Sequence, residues 1–340
     1  LHELRRLGEA LASFERAIAL EPGRADAVNN RGLLFQQLGR ADEAIASYAQ
    51  AIALRPDHAD AWSNRGGVLA QARRVDEAIA SCDRAIALDP AHPGAFNNRG
   101  IALHQGRRLE EALGSYERAI SLKPDFAEAW NNRGNAMHDL RRMPEALASF
   151  QRAIDVNPKY AEAISNRGMV LQDLGRLEAS RADYDAAIAL RPGYAEALKR
   201  RAGLKLLQRE FAGGWADFEA SVGQVRAGLR DRPAIPFWNG ESLAGKSILL
   251  SEPNGLGDTL QFIRFVPLLL ERGAKVAFHG PVNFFRVLGA FSDRIRFVAD
   301  TAAETFDFQC GLWSLPPYLR VGPEGLAACE ILARELDHDA

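Results

Sequence analysis

Residues 127–160 read AEAWNNRGNAMHDLRRMPEALASFQRAIDVNPKY, and the reading of this stretch decides the fold of most of the chain. Its proline is Pro158, and prolines stand at the same place in the flanking stretches: Pro22, Pro56, Pro90, Pro124 and Pro192. A fixed period of 34 residues predicts a solenoid of helix–turn–helix units. Taking the third residue after each proline as position 1, position 8 is Gly32, Gly66, Gly100, Gly134 and Gly168. Position 20 is Ala44, Ala78, Ala112 and Ala146, and position 27 is Ala51, Ala85, Ala119, Ala153 and Ala187. Small residues at these places let the two helices of a unit approach closely. Position 24 is bulky in most units (Tyr48, Tyr116, Phe150, Tyr184), with Cys82 in the remaining slot. Proline at position 32 stops the second helix because it cannot continue the backbone ladder. A solenoid offers a long face and no pocket by default, so recognition is the first function to expect of it.

These columns resemble the tetratricopeptide repeat family over about residues 1–222. The resemblance implies an all-α solenoid, a right-handed superhelix. Residues 1–24 hold the second helix of a half repeat, 25–194 five full repeats, and 195–228 a degenerate sixth. In that sixth repeat Arg226 replaces the proline, and the repeat is expected to cap the array against the next domain.

In this family the first helix of each repeat lines an inner groove. Position 6 there is Asn30, Asn64, Asn98, Asn132 and Asn166, beside Asn or Ser at position 5. An amide offers two donors and an acceptor, so it can pair with a peptide backbone of any sequence. The array is similar to the asparagine ladder of protein O-GlcNAc transferases, which holds substrate polypeptide. That likeness implies a protein or peptide partner in the groove. The other role open to the same amides is to bond neighbouring helices and hold the superhelical pitch. Arg31, Arg65, Arg99, Arg133, Arg167 and Arg201 form a second column at position 7, read as packed stems paired to neighbouring acids. His104 and His138 share position 12; no further ligand repeats with them, so no metal is expected.

The bulk numbers exclude other classes. A net charge of −2 over 340 residues argues against a nucleic-acid partner. No apolar run is long enough to span a membrane. Cys82, Cys310 and Cys329 are scattered without CxxC spacing, which fits a reducing, cytoplasmic setting. The chain opens on Leu1 inside a repeat and reads as a fragment.

Residues 223–245, with Pro233, Pro236, Gly240 and Gly245, read as a linker. Gly240 to Ser247 matches the phosphate-loop pattern, but an apolar strand-like run follows it where that loop needs a helix, so the match is discounted. Residues 246–340 then alternate strand and helix: strands at Ser247–Ser251, Lys275–His279 and Arg296–Val298, helices at 258–272 and 283–288, and a terminal helix from about Glu324. This is the opening of a doubly wound α/β domain, whose ligands bind at the carboxyl ends of strands. The turn there carries Asn254, Gly255, Gly257, Asp258 and Thr259, and amides at the following helix start favour an anion. Asp258 with Gln261 also forms a capping-box pattern.

Phe237-Trp238-Asn239-Gly240, Gly255-Leu256-Gly257-Asp258-Thr259-Leu260-Gln261-Phe262 and Ser314-Leu315-Pro316 are similar to bacterial proteins that join these repeats to a heptosyltransferase-like glycosyltransferase. The resemblance implies the Rossmann-like N-terminal half of a GT-B enzyme. It implies a nucleotide-sugar donor, no metal and no other cofactor, with Asp258 as candidate base in an acceptor- and anion-binding loop of Asn254, Gly255, Gly257 and Thr259. Room for only one Rossmann-like domain after Lys246 implies that the stretch alone is inactive. The rival reading is a non-catalytic scaffold for protein–protein interaction whose α/β segment is a vestigial cap.

Overall fold

The computed structural model describes residues 2–229, 235–251, 259, 262–287, 294–299 and 304–319. The expectations placed on Asn254, Gly255, Gly257, Asp258 and Gln261, on the Arg226 side chain and on a helix from Glu324 lie outside the described residues. The chain divides into two compact units, Leu1–Leu190 and Arg191–Ala340.

The first unit is built of α1 (His2–Leu20), α2 (Ala25–Gln37), α3 (Ala41–Leu54), α4 (Ala59–Gln71), α5 (Val75–Leu88), α6 (Pro93–Gln105), α7 (Leu109–Leu122), α8 (Ala127–Asp139), α9 (Met143–Val156), α10 (Ala161–Asp173) and α11 (Leu177–Leu190). The small columns do what the spacing implies. An added Cβ on Gly100 would lie 2.5 Å from the Tyr116 ring, and one on Gly134 2.6 Å from the Phe150 ring. Each glycine is therefore the socket for the bulky position-24 side chain of its own repeat. Tyr48, Tyr116, Phe150 and Tyr184 are buried in those sockets. Position-24 side chains join Leu69, Leu103, Met137 and Val170 in a core that runs from repeat to repeat.

Each first helix ends the same way. Arg74 N–H donates to Leu69 O at 2.9 Å and Arg73 N–H to Ala70 O at 2.8 Å, the paired closure that puts the residue after the cap in the left-handed region. That residue is Gly39 (φ 72°) and Gly175 (φ 71°), but Arg73 (58°), Arg107 (60°) and Arg141 (61°) in the repeats between them, and Arg209 (63°) in the sixth. A non-glycine residue there costs about 1–2 kcal/mol, and a cation at a helix C-terminus recovers about 0.3–1 kcal/mol. The next residue opens the second helix as its cap: Arg74 and Arg108 each pair with the glutamate three positions on, Glu77 and Glu111, at 2.7 Å.

The second unit begins with α12 (Ala195–Leu207) and α13 (Phe211–Leu229). Second helices that meet a proline at position 32 end two residues before it, α1 at Leu20 and α9 at Val156, whereas α13 runs on to Leu229, through the place held by Arg226. Beyond it lie β1 (Ser247–Ser251), α14 (Val266–Glu271), β2 (Lys275–His279), α15 (Val282–Val287), β3 (Arg296–Val298), β4 (Phe308–Gly311) and α16 (Leu315–Leu319). The four strands form one parallel sheet in the order β3-β2-β1-β4. Leu249 pairs in register with Ala277 on one side and Gln309 on the other. Both sheet faces are buried, as parallel strands require. Ile248, Leu250, Val276 and Phe278 face a core with Trp238, Val266 and Leu269, while Leu249, Ala277 and Val298 face Phe306. On α13, the Trp215 ring meets Phe262 edge-on at 6.4 Å, and Tyr318 donates to Glu219 at 3.2 Å. The last helical pair thus shares its core with the α/β elements.

Candidate functional site

A helix turns about 100° per residue, so positions 2, 6, 9 and 13 of a first helix share one stripe, and positions 4, 7 and 11 lie on the other side. The asparagine ladder occupies the first stripe. Its amides reach back one repeat: Asn64 donates to Asn29 Oδ1 (3.1 Å), Asn98 to Ser63 O (3.0 Å), Asn132 to Asn97 Oδ1 (3.0 Å) and Asn166 to Asn131 Oδ1 (3.0 Å). These are the inter-helix bonds that the second role of the ladder calls for. With serine at position 5, Asn98 donates to the Ser63 backbone carbonyl and, at 3.4 Å, to the Ser63 hydroxyl as well, and Gly67 leaves room for its amide, 3.0 Å from where a Cβ would lie. Asn30, Asn64, Asn98 and Asn132 are half-buried, while Asn166 is buried. The amide oxygens of Asn64, Asn98 and Asn132 accept no hydrogen bond among the described residues. The ladder therefore spends a donor on the fold and keeps a row of acceptors.

The arginine column lies on the opposite stripe and is tied down, as the paired-stem reading expects. Arg99 donates to Asp83 (2.6 Å) and Ser115 (2.9 Å), and Arg133 to Glu117 (3.2 Å) and Ser149 (2.7 Å). Arg167 pairs with Asp183 (2.5 Å), and Arg201 with Asp217 (2.7 Å). Each staples a first helix to a second helix, within its repeat or the one before. Burial pushes the Asp217 carboxyl up, but the hydrogen bonds of Arg201 and Lys205 outweigh it and hold the group below the usual aspartate range.

The position-12 histidines are also engaged. His104 Nε2 lies 2.9 Å from Asp139, and His138 Nε2 2.7 Å from Asp173, each carboxylate on the next repeat. Among the described residues no cluster of three or more metal-ligating side chains forms. The sequence suggested inter-helix bonds for the asparagines and paired acids for the arginines, but not the histidine links to the next repeat. The signal was present as a constant step of 35 between an amide or imidazole in one column and its partner in the adjoining one.

In the second unit Lys246 and Ser247 are held by one carboxylate. Asp307 accepts from the Ser247 N–H and hydroxyl, both at 2.9 Å, and from Lys246 at 3.1 Å. The backbone N–H first, then the hydroxyl and the ammonium, hold Asp307 at about 2. The lysine and serine of the phosphate-loop match thus clip β1 to the chain entering β4. Thr259, the one described member of the predicted anion loop, is buried. Burial raises the Cys82 thiol to about 12, and Cys310 is buried as well.

Tetratricopeptide-repeat family models match residues 2–50, 31–93, 103–140, 127–160 and 161–194. A search of the curated proteins finds no match. Among solved structures, the chain is similar to a component of the Cut9–Hcn1 hetero-tetramer of the APC/C. That match has 17% identity and a TM-score of 0.59, covering 68% of this chain and 47% of the other. PilF of Pseudomonas aeruginosa matches at 20% identity and a TM-score of 0.51, covering 60% and 92%. A thermophilic repeat protein of Thermus thermophilus matches at 22% identity and a TM-score of 0.50, covering 54% and 99%. At these identities the likeness is one of fold.

Proposed function

The chain belongs to the tetratricopeptide-repeat family, whose repeats form protein–protein interaction modules, and on that premise we propose that it binds an extended polypeptide along the asparagine ladder. The observation that carries this reading is the row of half-buried amide oxygens on Asn64, Asn98 and Asn132 without an acceptor bond among the described residues. Each side chain is already oriented by its bond to the preceding repeat, so little rotamer entropy remains to be lost on binding. Acceptors aligned at one per repeat suit the N–H groups of an extended backbone, which are present whatever the sequence. No helix among the described residues is long and apolar enough to cross a membrane. The test titrates a fluorescent mixed-sequence dodecapeptide pool against the protein and against Asn98→Ala/Asn132→Ala. Loss of two amide contacts predicts about a tenfold weaker affinity. Unchanged affinity with a lowered melting temperature would assign the ladder to the fold alone.

A second reading concerns the α/β unit. In the strand order β3-β2-β1-β4 the connection reverses at β1, and such a switch point is where open α/β sheets bind ligands. This supports the proposal that the unit is the opening half of a GT-B glycosyltransferase. There Asp258 would be the base, Asn254, Gly255, Gly257 and Thr259 the anion loop, and a nucleotide sugar the donor, without metal. The scaffold reading makes the same unit a non-catalytic cap. Calorimetric titration with nucleotide sugars, on a protein that carries this unit joined to a second Rossmann-like half, separates them: binding that Asp258→Asn leaves intact while abolishing transfer supports the enzyme, and no binding by that two-half protein supports the cap.

A further inference from the structure

We propose that the turns joining the two helices of repeats two, three and four form a second docking edge, built on Arg73, Arg107 and Arg141, for an acidic polypeptide segment. The starting observation is strain. These three arginines hold φ of 58°, 60° and 61°, a slot that Gly39 and Gly175 fill without penalty in the flanking repeats. The closure bonds run through the backbone and need no side chain, and the recovery of about 0.3–1 kcal/mol at the helix C-terminus is smaller than the strain of about 1–2 kcal/mol, so folding alone does not account for arginine there. Backbone strain retained at three successive equivalent points is a pointer to function.

The second observation is availability. All three side chains are exposed. Arg73 and Arg141 make no ion pair among the described residues, and Arg107 has only Asp139 at 3.3 Å while remaining 79% exposed. The arginine that follows each of them is already neutralised: Arg74 by Glu77, Arg108 by Glu111 and Arg142 by Glu110. One guanidinium per repeat is therefore left facing solvent along the edge.

The neighbours choose the partner. Asp76, Glu110, Glu111 and Glu145 are exposed within four residues of these arginines. A phosphate backbone, with a charge about every 1.7 Å, would run against those carboxylates. A polypeptide can space its carboxylates to meet one guanidinium per repeat and pass neutral residues over the acids between. The edge also lies at the end of each first helix, away from the ladder positions, so it could be occupied together with the groove.

Fluorescence anisotropy with a labelled peptide that alternates glutamate and serine tests this on the whole chain. The wild type binds at low salt and releases the peptide as ionic strength approaches about 0.15 M. R73G/R107G/R141G binds at least about tenfold more weakly, three exposed pairs being lost. It melts no lower than the wild type, because glycine relieves the strain. R141G alone loses about two- to fivefold. N98A/N132A keeps the salt-dependent part of the binding, because the ladder amides supply only the charge-independent backbone contacts. Undiminished binding by the triple variant, absence of binding by the wild type, or tighter binding of duplex DNA than of the peptide would each overturn the proposal. So would a matching loss in N98A/N132A, which would place the peptide in the groove.

Discussion

At the residue scale, the repeats differ by which polar partner each buried group finds. Tyr48 donates to Gln36 at 3.1 Å and Tyr184 to Gln172 at 3.0 Å, both glutamines at position 12. In the third repeat position 12 is His104, which turns to Asp139, and the buried Tyr116 hydroxyl has no hydrogen-bond partner among the described residues. In the fourth, where His138 turns to Asp173, position 24 is Phe150 and the problem does not arise. Burial alone raises the Tyr116 hydroxyl far above its usual range. Tyr116→Phe should therefore be neutral or stabilising by up to about 1 kcal/mol, whereas Tyr184→Phe should cost about 1 kcal/mol. Urea denaturation of the two variants decides it; equal losses would mean that the Tyr116 hydroxyl is satisfied in solution.

At the element scale, the meaning of a glycine depends on the face it occupies. Gly100 on α6 has the Tyr116 ring 2.5 Å from any added Cβ, so Gly100→Ala must push two helices apart. Its cost should be about 1–3 kcal/mol. Gly114 sits inside α7 with nothing within 4 Å, where other repeats have Ala80, Ala148 and Ala182. Gly114→Ala should stabilise by up to about 1 kcal/mol through helix propensity alone. Thermal melts of the pair should move in opposite directions; a shared direction would refute the socket assignment. Helix ends obey the same local logic. Position-32 prolines stop second helices two residues short of themselves, at Leu20 in α1 and Val156 in α9, and α13, lacking one, runs on to Leu229.

At the scale of the whole molecule, the first unit is a one-dimensional array in which links pass from each repeat to its neighbours. Removing residues 93–126, one full period, would bring Asn132 opposite Ser63, the partner that Asn98 has now. That deletion should leave a folded array with a single unfolding transition and one repeat less of helical ellipticity. Collapse of the helical signal would show that the repeats are not interchangeable. Read alone, the sequence determined the period, the ends of the proline-stopped helices, the columns of small residues and the first three strands of the α/β unit. All of these follow from spacing and from residues that act on their own backbone. It also placed Asn30, Asn64, Asn98, Asn132 and Asn166 in one column, because a column is only a count of residues. The helix expected over 258–272, by contrast, is within the described residues interrupted by a turn at 264–265 and regular at Val266–Glu271. Only the tertiary structure decided that these amides bond backwards while leaving acceptors outward, that the position-7 arginines are staples, and that Lys246 and Ser247 answer to Asp307, 60 residues on from the serine. It also revealed the left-handed arginines, since φ does not appear in a sequence. A side chain's role depends on what the neighbouring repeat or strand sets against it, and that distance is decided only when the chain has packed.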